Sequence, residues 1–186
     1  MFSKAEAARE IGCFAADNLE RNEHDLGGSV MTSQGLSIIK PGATARKVAT
    51  AIHSAQSSLE EQLGLVAERY VSKLEYLVLA SDFLTGVDRD VYRHLANYTE
   101  IVAVQVRDPW DWALPNLGEI RVAGEVYDTS NSESRQAYTD RANEQQNDLF
   151  AFFREIGATH YEFRTDKPLE QQVITHFSQR QLRRAS

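Results

Sequence analysis

Cysteine is almost absent from this chain of 186 residues, which contains only Cys13. A single cysteine excludes an internal disulfide framework and a zinc site built from several cysteines. The longest apolar runs, such as residues 76–80, are far shorter than the roughly 20 residues that a membrane-spanning helix needs. The N-terminus has no basic segment followed by an apolar stretch, so it does not read as a signal peptide. We therefore expect a cytoplasmic protein without a membrane segment.

Basic residues are also in the minority, with 20 Lys and Arg against 27 Asp and Glu, which gives a formal net charge of −7. Proteins that bind nucleic acids usually carry a basic face, so no nucleic-acid partner is expected. Hydrophobic residues make up 42% of the chain, close to the globular average, and this content can supply a packed core. The length suits one domain, residues 1–186.

Familiar catalytic and ligand-binding motifs are missing as well. The sequence has no phosphate-binding P-loop, no His-Glu-x-x-His, no Gly-x-Ser-x-Gly and no dinucleotide-binding glycine motif. No two of the five histidines have the spacing of a metal-binding pair on a helix. The motifs therefore predict no catalytic residue.

Two nearly continuous apolar segments, residues 75–81 and 101–106, are typical of strands that are buried on both faces. Residues 87–97 between them have helical spacing. Two such strands joined by a helix form a right-handed βαβ unit with parallel strands. The sequence therefore predicts a three-layer α/β fold, with helices on both faces of a mostly parallel sheet.

The remaining elements are predicted from helical spacing, strand alternation and turn residues. Helices are expected at about residues 4–22, from 44, 58–72, 132–156 and 168–182. Short strands are expected at about 29–33, 36–40 and 160–164, and a small pair of strands at about 119–127. Pro41 and Gly42 should end the second of these strands. Residues 108–118 contain two prolines and two tryptophans and are predicted to be irregular.

An acidic residue follows each buried strand, Asp82 after the first and Asp108 after the second. Ligands of open α/β sheets bind beyond the carboxyl ends of the strands, and carboxylates there can hold Mg²⁺. Asp82 is therefore a candidate metal ligand. The alternative is that its carboxylate accepts hydrogen bonds from the backbone of the following turn.

Trp110 and Trp112 lie two residues apart, so an extended loop would present both on one side. Paired aromatic residues often anchor contacts between proteins. The alternative is that both rings cover the edge of the sheet as part of the core.

The order of several short motifs resembles the domain of unknown function 58 family, which comprises bacterial von Willebrand factor A-like proteins. Residues 108–115, Asp-Pro-Trp-Asp-Trp-Ala-Leu-Pro, with Gly118 beyond, resemble its Asp-Pro-x-Glu-x-x-Leu-Pro…Gly signature, with Asp111 in place of the usual Glu. Residues 81–83, Ser-Asp-Phe, resemble an earlier family segment. Residues 128–130 with Tyr138 and Arg141, and then Thr165 and Asp166, resemble later ones. The resemblance covers essentially the whole chain.

This resemblance implies a von Willebrand factor A-like, Rossmann-type fold with a metal-ion-dependent adhesion site at the carboxyl ends of the strands. Of the usual parts of that site, only the Asp after a central strand has a clear counterpart here, Asp82. The Asp-x-Ser-x-Ser loop after the first strand is missing. We therefore expect a domain that lacks its first strand, binds Mg²⁺ weakly or not at all, and has low stability or self-associates unless another strand fills the gap.

Members of the family are often encoded beside MoxR-type AAA+ ATPases and are thought to act with them as chaperone or metal-insertion adaptors. The resemblance therefore implies a non-enzymatic protein-interaction module with a MoxR-type ATPase or another protein as its partner. The candidate partner-binding residues are Ser81, Asp82, Trp110 and Trp112.

Two alternatives to this function remain open. One is a small metal-dependent hydrolase or phosphatase that uses Asp82 and Asp108, although a nucleophile, a base and a phosphate loop are missing. The other is a domain fragment without a function of its own.

Overall fold

The computed structural model describes residues 3–22, 26–32, 35–53, 63–64, 66–68, 70, 74–84, 86–122 and 124–184. Its helices are α1 (Lys4–Arg21), α2 (Ala45–His53), α3 (Arg89–Ala96), α4 (Ser132–Glu155) and α5 (Leu169–Arg184). Its strands are β1 (Leu26–Thr32), β2 (Gly35–Ala43), β3 (Tyr76–Ser81), β4 (Glu100–Arg107), β5 (Glu119–Val122), β6 (Glu125–Asp128) and β7 (Thr159–Arg164).

The central sheet consists of β3, β4 and β7, which are parallel and lie in that order. β4 is the middle strand, and all of its residues except the first are buried, as its apolar sequence predicts. The register pairs Ser81 with Gln105 and Arg107 with Arg164. The carboxyl ends of the three strands therefore meet at one edge of the sheet, which we call the carboxyl edge (residues 81–84, 107–112 and 164–166).

Helices cover both faces of this sheet because the side chains of β4 alternate between two hydrophobic clusters. On one face, the valines of β4 pack in a cluster with Ile11 of α1 and Val173 of α5. On the other face, Ile101 and Ala103 pack in a cluster that includes Leu95 of α3 and Phe153 of α4. The predicted three-layer α/β architecture is thus confirmed.

The two ends of α4 follow the signals in its sequence. The Asn131 side chain accepts a hydrogen bond from the backbone N–H of Glu133 and caps the start of the helix. Gly157 follows its end with a φ of 70°, the conformation in which glycine commonly terminates helices. Among the described helices, none combines the length and apolar character that crossing a membrane requires.

The first hairpin differs from the prediction at its end. β2 continues through Pro41 and Gly42 to Ala43, which pairs with Leu26 of β1. The register of the hairpin shifts between Leu26 and Gly28, and Gly42 has a φ of 82°. The expected end was wrong because the irregular register lets the pairing resume beyond the Pro-Gly pair. The helix predicted at 58–72 lies largely outside the described residues, of which 63, 64 and 66–68 are helical.

Candidate interaction site at the carboxyl edge

The turn after β3 is shaped by its own polar side chains. Ser81 Oγ accepts a hydrogen bond from the backbone N–H of Phe83 at 3.2 Å, and Asp82 Oδ1 accepts one from the N–H of Leu84 at 3.2 Å. Phe83 has a φ of 53°, which is uncommon for a residue other than glycine. Its buried ring meets Phe153 edge-on, with 5.4 Å between the ring centroids. One oxygen of Asp82 therefore accepts a hydrogen bond from the backbone of the following turn, which is the alternative to metal binding that the sequence left open.

A capping box closes the turn after β4. Residues 109–111 form one 3₁₀ turn, in which Asp108 Oδ1 accepts from the N–H of Trp110 at 3.0 Å. Asp111 Oδ2 accepts in return from the N–H of Asp108 at 2.7 Å. The second oxygen of Asp108 accepts from the Thr165 hydroxyl at 3.2 Å. Both oxygens of Asp108 thus hold the loop in place.

Lys4, the first residue of α1, joins the ends of β3 and β4. Its Nζ lies 2.6 Å from Asp111 Oδ1 and 3.3 Å from Asp82 Oδ2. The side chain of Asp111 is 8% exposed, whereas those of Lys4 and Asp82 are 29% and 35% exposed. The shorter contact is therefore also the more buried one, and Asp111 depends most on this ammonium.

These residues do not fit the metal site that the resemblance implies. Mg²⁺ requires near-octahedral oxygen coordination at about 2.0–2.1 Å, and the Lys4 ammonium already lies within ion-pair distance of both Asp82 and Asp111. Within the described part of the chain, no group of three or more His, Cys, Asp or Glu residues could hold a metal ion. The carboxylate that shares a cation with Asp82 is that of Asp111, whereas Asp108 is bonded to its own loop and to Thr165.

Trp112 packs against two guanidinium groups from neighbouring strands. The carbon atom Cζ of Arg107 lies 4.9 Å from a ring centroid of Trp112, and that of Arg164 lies 4.4 Å from one. Arg164 also forms two hydrogen bonds with Asp166, which raise the pKa of Arg164 and lower that of Asp166. Trp112 is therefore held against guanidinium groups from the ends of two neighbouring strands.

Trp110 has different surroundings, because the segment is a tight turn rather than an extended loop. Its side chain is 48% exposed. Its backbone is nevertheless fixed, because its carbonyl accepts a hydrogen bond from the Tyr138 hydroxyl at 2.8 Å. Burial raises the pKa of Tyr138 above its usual value. The result is an exposed aromatic ring on a well-bonded turn.

The later motif residues hold the far end of the same loop. Thr129 is fully buried, and its hydroxyl accepts from the N–H of Leu117 at 3.0 Å and donates to the carbonyl of Gly118 at 2.7 Å. Gly118 has a φ of 79°, which favours glycine at this position. Arg135 of α4 donates to the carbonyl of Thr129 at 2.6 Å. These motifs therefore have a structural explanation that requires no ligand.

A cavity of about 370 Å³ opens beside the carboxyl edge, between β4 and α4. The side-chain amides of Gln105 and Gln146 in its wall donate to each other at 3.0 and 2.8 Å. Gln146 also contacts Glu162, which lies 3.5 Å from Arg107. The polar groups of the wall are thus largely bonded to one another.

Two residues at this site were not predicted from the sequence: Arg107, which belongs to the carboxyl edge, and Lys4, which forms ion pairs with it. Both carry a signal in retrospect. Lys4 places a positive charge in the first turn of a helix, where the helix dipole disfavours it unless acids lie nearby. Arg107 ends a strand whose other residues are mostly apolar, and an arginine that is 7% exposed requires partners.

The parallel three-stranded sheet with helices on both faces is a Rossmann-like α/β arrangement, and it is compatible with a von Willebrand factor A-like fold. The model of the family described as protein of unknown function DUF58 matches residues 2–148. The chain therefore belongs to this family, which confirms the resemblance read from its motifs. No curated protein and no solved structure matches the chain.

Proposed function

We propose that the chain is a non-enzymatic, cytoplasmic protein-interaction module that binds a MoxR-type AAA+ ATPase and acts as a chaperone or metal-insertion adaptor. The docking surface is the carboxyl edge, with Ser81, Asp82, Trp110 and Trp112 as its residues. The observation that carries the proposal is the exposure of the Trp110 ring on a turn whose backbone is fixed from two sides.

An exposed aromatic ring on a fixed turn suits a binding anchor. Buried tryptophans contribute disproportionately to binding energy at protein interfaces. Asp108 and Tyr138 both bond the backbone of Trp110, so little further ordering of the turn is needed on binding. Leu84, which follows Asp82 closely and is 50% exposed, adds a second apolar contact on the same edge.

The other named residues support this anchor in different ways. Ser81 shapes the turn that presents Asp82, and Asp82 retains a partly exposed carboxylate for a polar contact. Trp112 packs on Arg107 and Arg164 and so attaches the loop to the ends of β4 and β7. The surface then has an aromatic centre and a charged rim, the usual organisation of protein interfaces.

The hydrolase alternative gains no support from this geometry. It needs Asp82 and Asp108 to act on one substrate or metal, but both oxygens of Asp108 accept hydrogen bonds within the edge itself. A phosphoester panel with Asp82→Asn as its control remains the direct test. Turnover that this substitution abolishes would replace the interaction proposal with the hydrolase.

The interaction proposal is tested by measuring the affinity of the chain for a MoxR-type ATPase from the same genome, with and without Mg²⁺. Trp110→Ala should weaken binding at least about 10-fold, as expected for a central aromatic anchor. Tyr98→Ala is the matched control, because Tyr98 is also an exposed aromatic, 59% accessible, but it precedes β4 at the opposite end of the sheet. No binding of the wild-type chain under either condition, or equal losses in the two variants, would contradict the proposal.

A further inference from the structure

We propose that the carboxyl edge is organised by a cation that the chain supplies itself, the ammonium group of Lys4. It holds Asp82 and Asp111 together and fixes the Trp110 turn without a divalent metal ion. This inference concerns the same surface as the proposed function and describes how that surface is held. Its tests need no partner, so its failure can be told apart from a failure of the docking proposal.

Asp111 needs a counter-charge. A largely buried carboxylate must find hydrogen bonds and an opposite charge, because leaving it unpaired destabilises the folded state. One oxygen accepts from the N–H of Asp108, and the other is 2.6 Å from Lys4 Nζ. Arg107 does not take this role, because its guanidinium donates to the backbone carbonyl of Asp111 at 3.3 Å. Within the described residues, Lys4 is the basic side chain that forms an ion pair with Asp111.

The backbone of Lys4 is fixed by the start of α1. Ser3 and Glu6 form a capping box at the start of α1, with the Ser3 N–H bonded to Glu6 at 2.8 Å. This box sets the first turn of α1, and the buried Ala7 and Ile11 then anchor the helix on the sheet. The fold consequently holds the ammonium near the strand ends. Mg²⁺ could take the same position only after losing tightly bound water.

Asp111 lies next to Trp110 in the turn after β4. Lys4 connects α1 to Asp111, and Asp111 closes the capping box of the turn through the N–H of Asp108. Loss of the ammonium leaves the Asp111 oxygen without its partner and loosens the turn on which Trp110 lies. Lys4 is thus a positioning residue for the exposed ring, and its effect passes through Asp111.

The experiment removes the tethered ammonium from the full chain and returns it in solution. The variant is Lys4→Ala, and the probes are ethylammonium, which can donate hydrogen bonds, and tetramethylammonium, which has the same charge but cannot. The melting temperature reports stability. The intrinsic fluorescence reports the turn itself, because the two tryptophans of the chain, Trp110 and Trp112, both lie in it.

We expect Lys4→Ala to lower the melting temperature by about 5 °C and to shift the tryptophan emission. Ethylammonium should reverse part of both changes, tetramethylammonium should reverse neither, and Lys4→Arg should retain most of the wild-type behaviour. The wild-type melting temperature should not respond to MgCl₂ or to EDTA. An unchanged Lys4→Ala variant, equal effects of the two ammonium ions, or an Mg²⁺ response of the wild type that Asp82→Ala removes would each overturn the inference.

A second pair of variants keeps the test decisive if Lys4→Ala does not fold. Lys4→Gln removes the charge but retains a donor, and Asp111→Asn neutralises the partner. If the ammonium serves Asp111, the double variant should be more stable than Lys4→Gln alone, because it no longer buries an unpaired carboxylate. A double variant whose destabilisation equals the sum of the two single ones would contradict the proposal.

Discussion

The hydroxyl of Thr165, which follows β7, lies 3.2 Å from Oδ2 of Asp108, which follows β4. The N–H of Thr165 also donates to the carbonyl of Arg107 at 2.9 Å, so backbone and side chain brace the two strand ends together. Thr165 is 4% exposed. Since Asp108 caps the turn that carries Trp110, this contact connects the end of β7 to the turn with the exposed ring.

Replacement of Thr165 by valine should test this brace. Thr165→Val keeps the side-chain shape but leaves Asp108 Oδ2 without its donor, so we expect the free energy of unfolding to fall by about 1 kcal/mol. The measurement is urea denaturation of both proteins, with attention to an unchanged m-value. Thr175→Val is the control, because Thr175 is exposed on α5 and its hydroxyl donates to the carbonyl of Gln171 in the same helix. An equal loss in the control would show that the Asp108 contact has no special role.

The central fold could be predicted because its signals are local. The two apolar segments that became β3 and β4 stand out by composition alone, and the helical spacing between them fixes a parallel connection. The start of α1 at Lys4 and the end of α4 before Gly157 likewise follow from capping residues near those positions. These features need no knowledge of distant parts of the chain.

The pairing at the carboxyl edge could not be predicted in the same way. Sequence position alone placed Asp82 and Asp108 at adjacent strand ends. The ammonium of Lys4, however, contacts Asp111 at the end of the 3₁₀ turn and not Asp108. Lys4 lies 107 residues from Asp111, and their contact exists only because α1 packs across the sheet. Such a pair is set by tertiary geometry, of which a single sequence carries only weak signals.

The positive φ of Phe83 leads to a prediction in which two effects compete. Removing its buried ring should cost about 3–5 kcal/mol, whereas relief of the strained backbone should return only about 1 kcal/mol. Both Phe83→Ala and Phe83→Gly should therefore be strongly destabilised, with the glycine variant about 1 kcal/mol more stable than the alanine variant. Chemical denaturation of both variants measures the difference. The same pair at exposed Leu84 should give no glycine advantage, and a glycine advantage there would contradict the strain argument.

The two tryptophans should contribute differently to the stability of the fold. Trp112→Leu loses the contacts with Arg107 and Arg164, so we expect a loss of about 1–2 kcal/mol in unfolding free energy. Trp110→Leu removes a half-exposed ring with its backbone bonds intact and should change stability by less than about 0.5 kcal/mol. Denaturation curves of the two variants check this order. A larger loss for Trp110→Leu would mean that its ring, and not only its backbone, is part of the folded edge.

His160 should make stability depend on pH. Its ring lies 4.5 Å from that of Phe150 and stacks on Phe153 at 5.2 Å, and neither ring nitrogen has a hydrogen-bond partner in the described part of the chain. Burial lowers the pKa of His160 to about 4 from 6.5. Between these values the unfolded chain binds the proton more tightly, so this contribution is complete above pH 6.5 and falls as the pH drops towards 4, by at most about 3 kcal/mol. Carboxylates also titrate at the lower end of this range, so the wild type must be compared with His160→Leu. Urea unfolding between pH 7 and 4.5 measures how the free energy of unfolding depends on pH, and this dependence should be shallower in His160→Leu. His94→Gln, at an exposed position on α3, should keep the wild-type slope, and a wild-type slope in His160→Leu would show that the buried imidazole is not the group responsible.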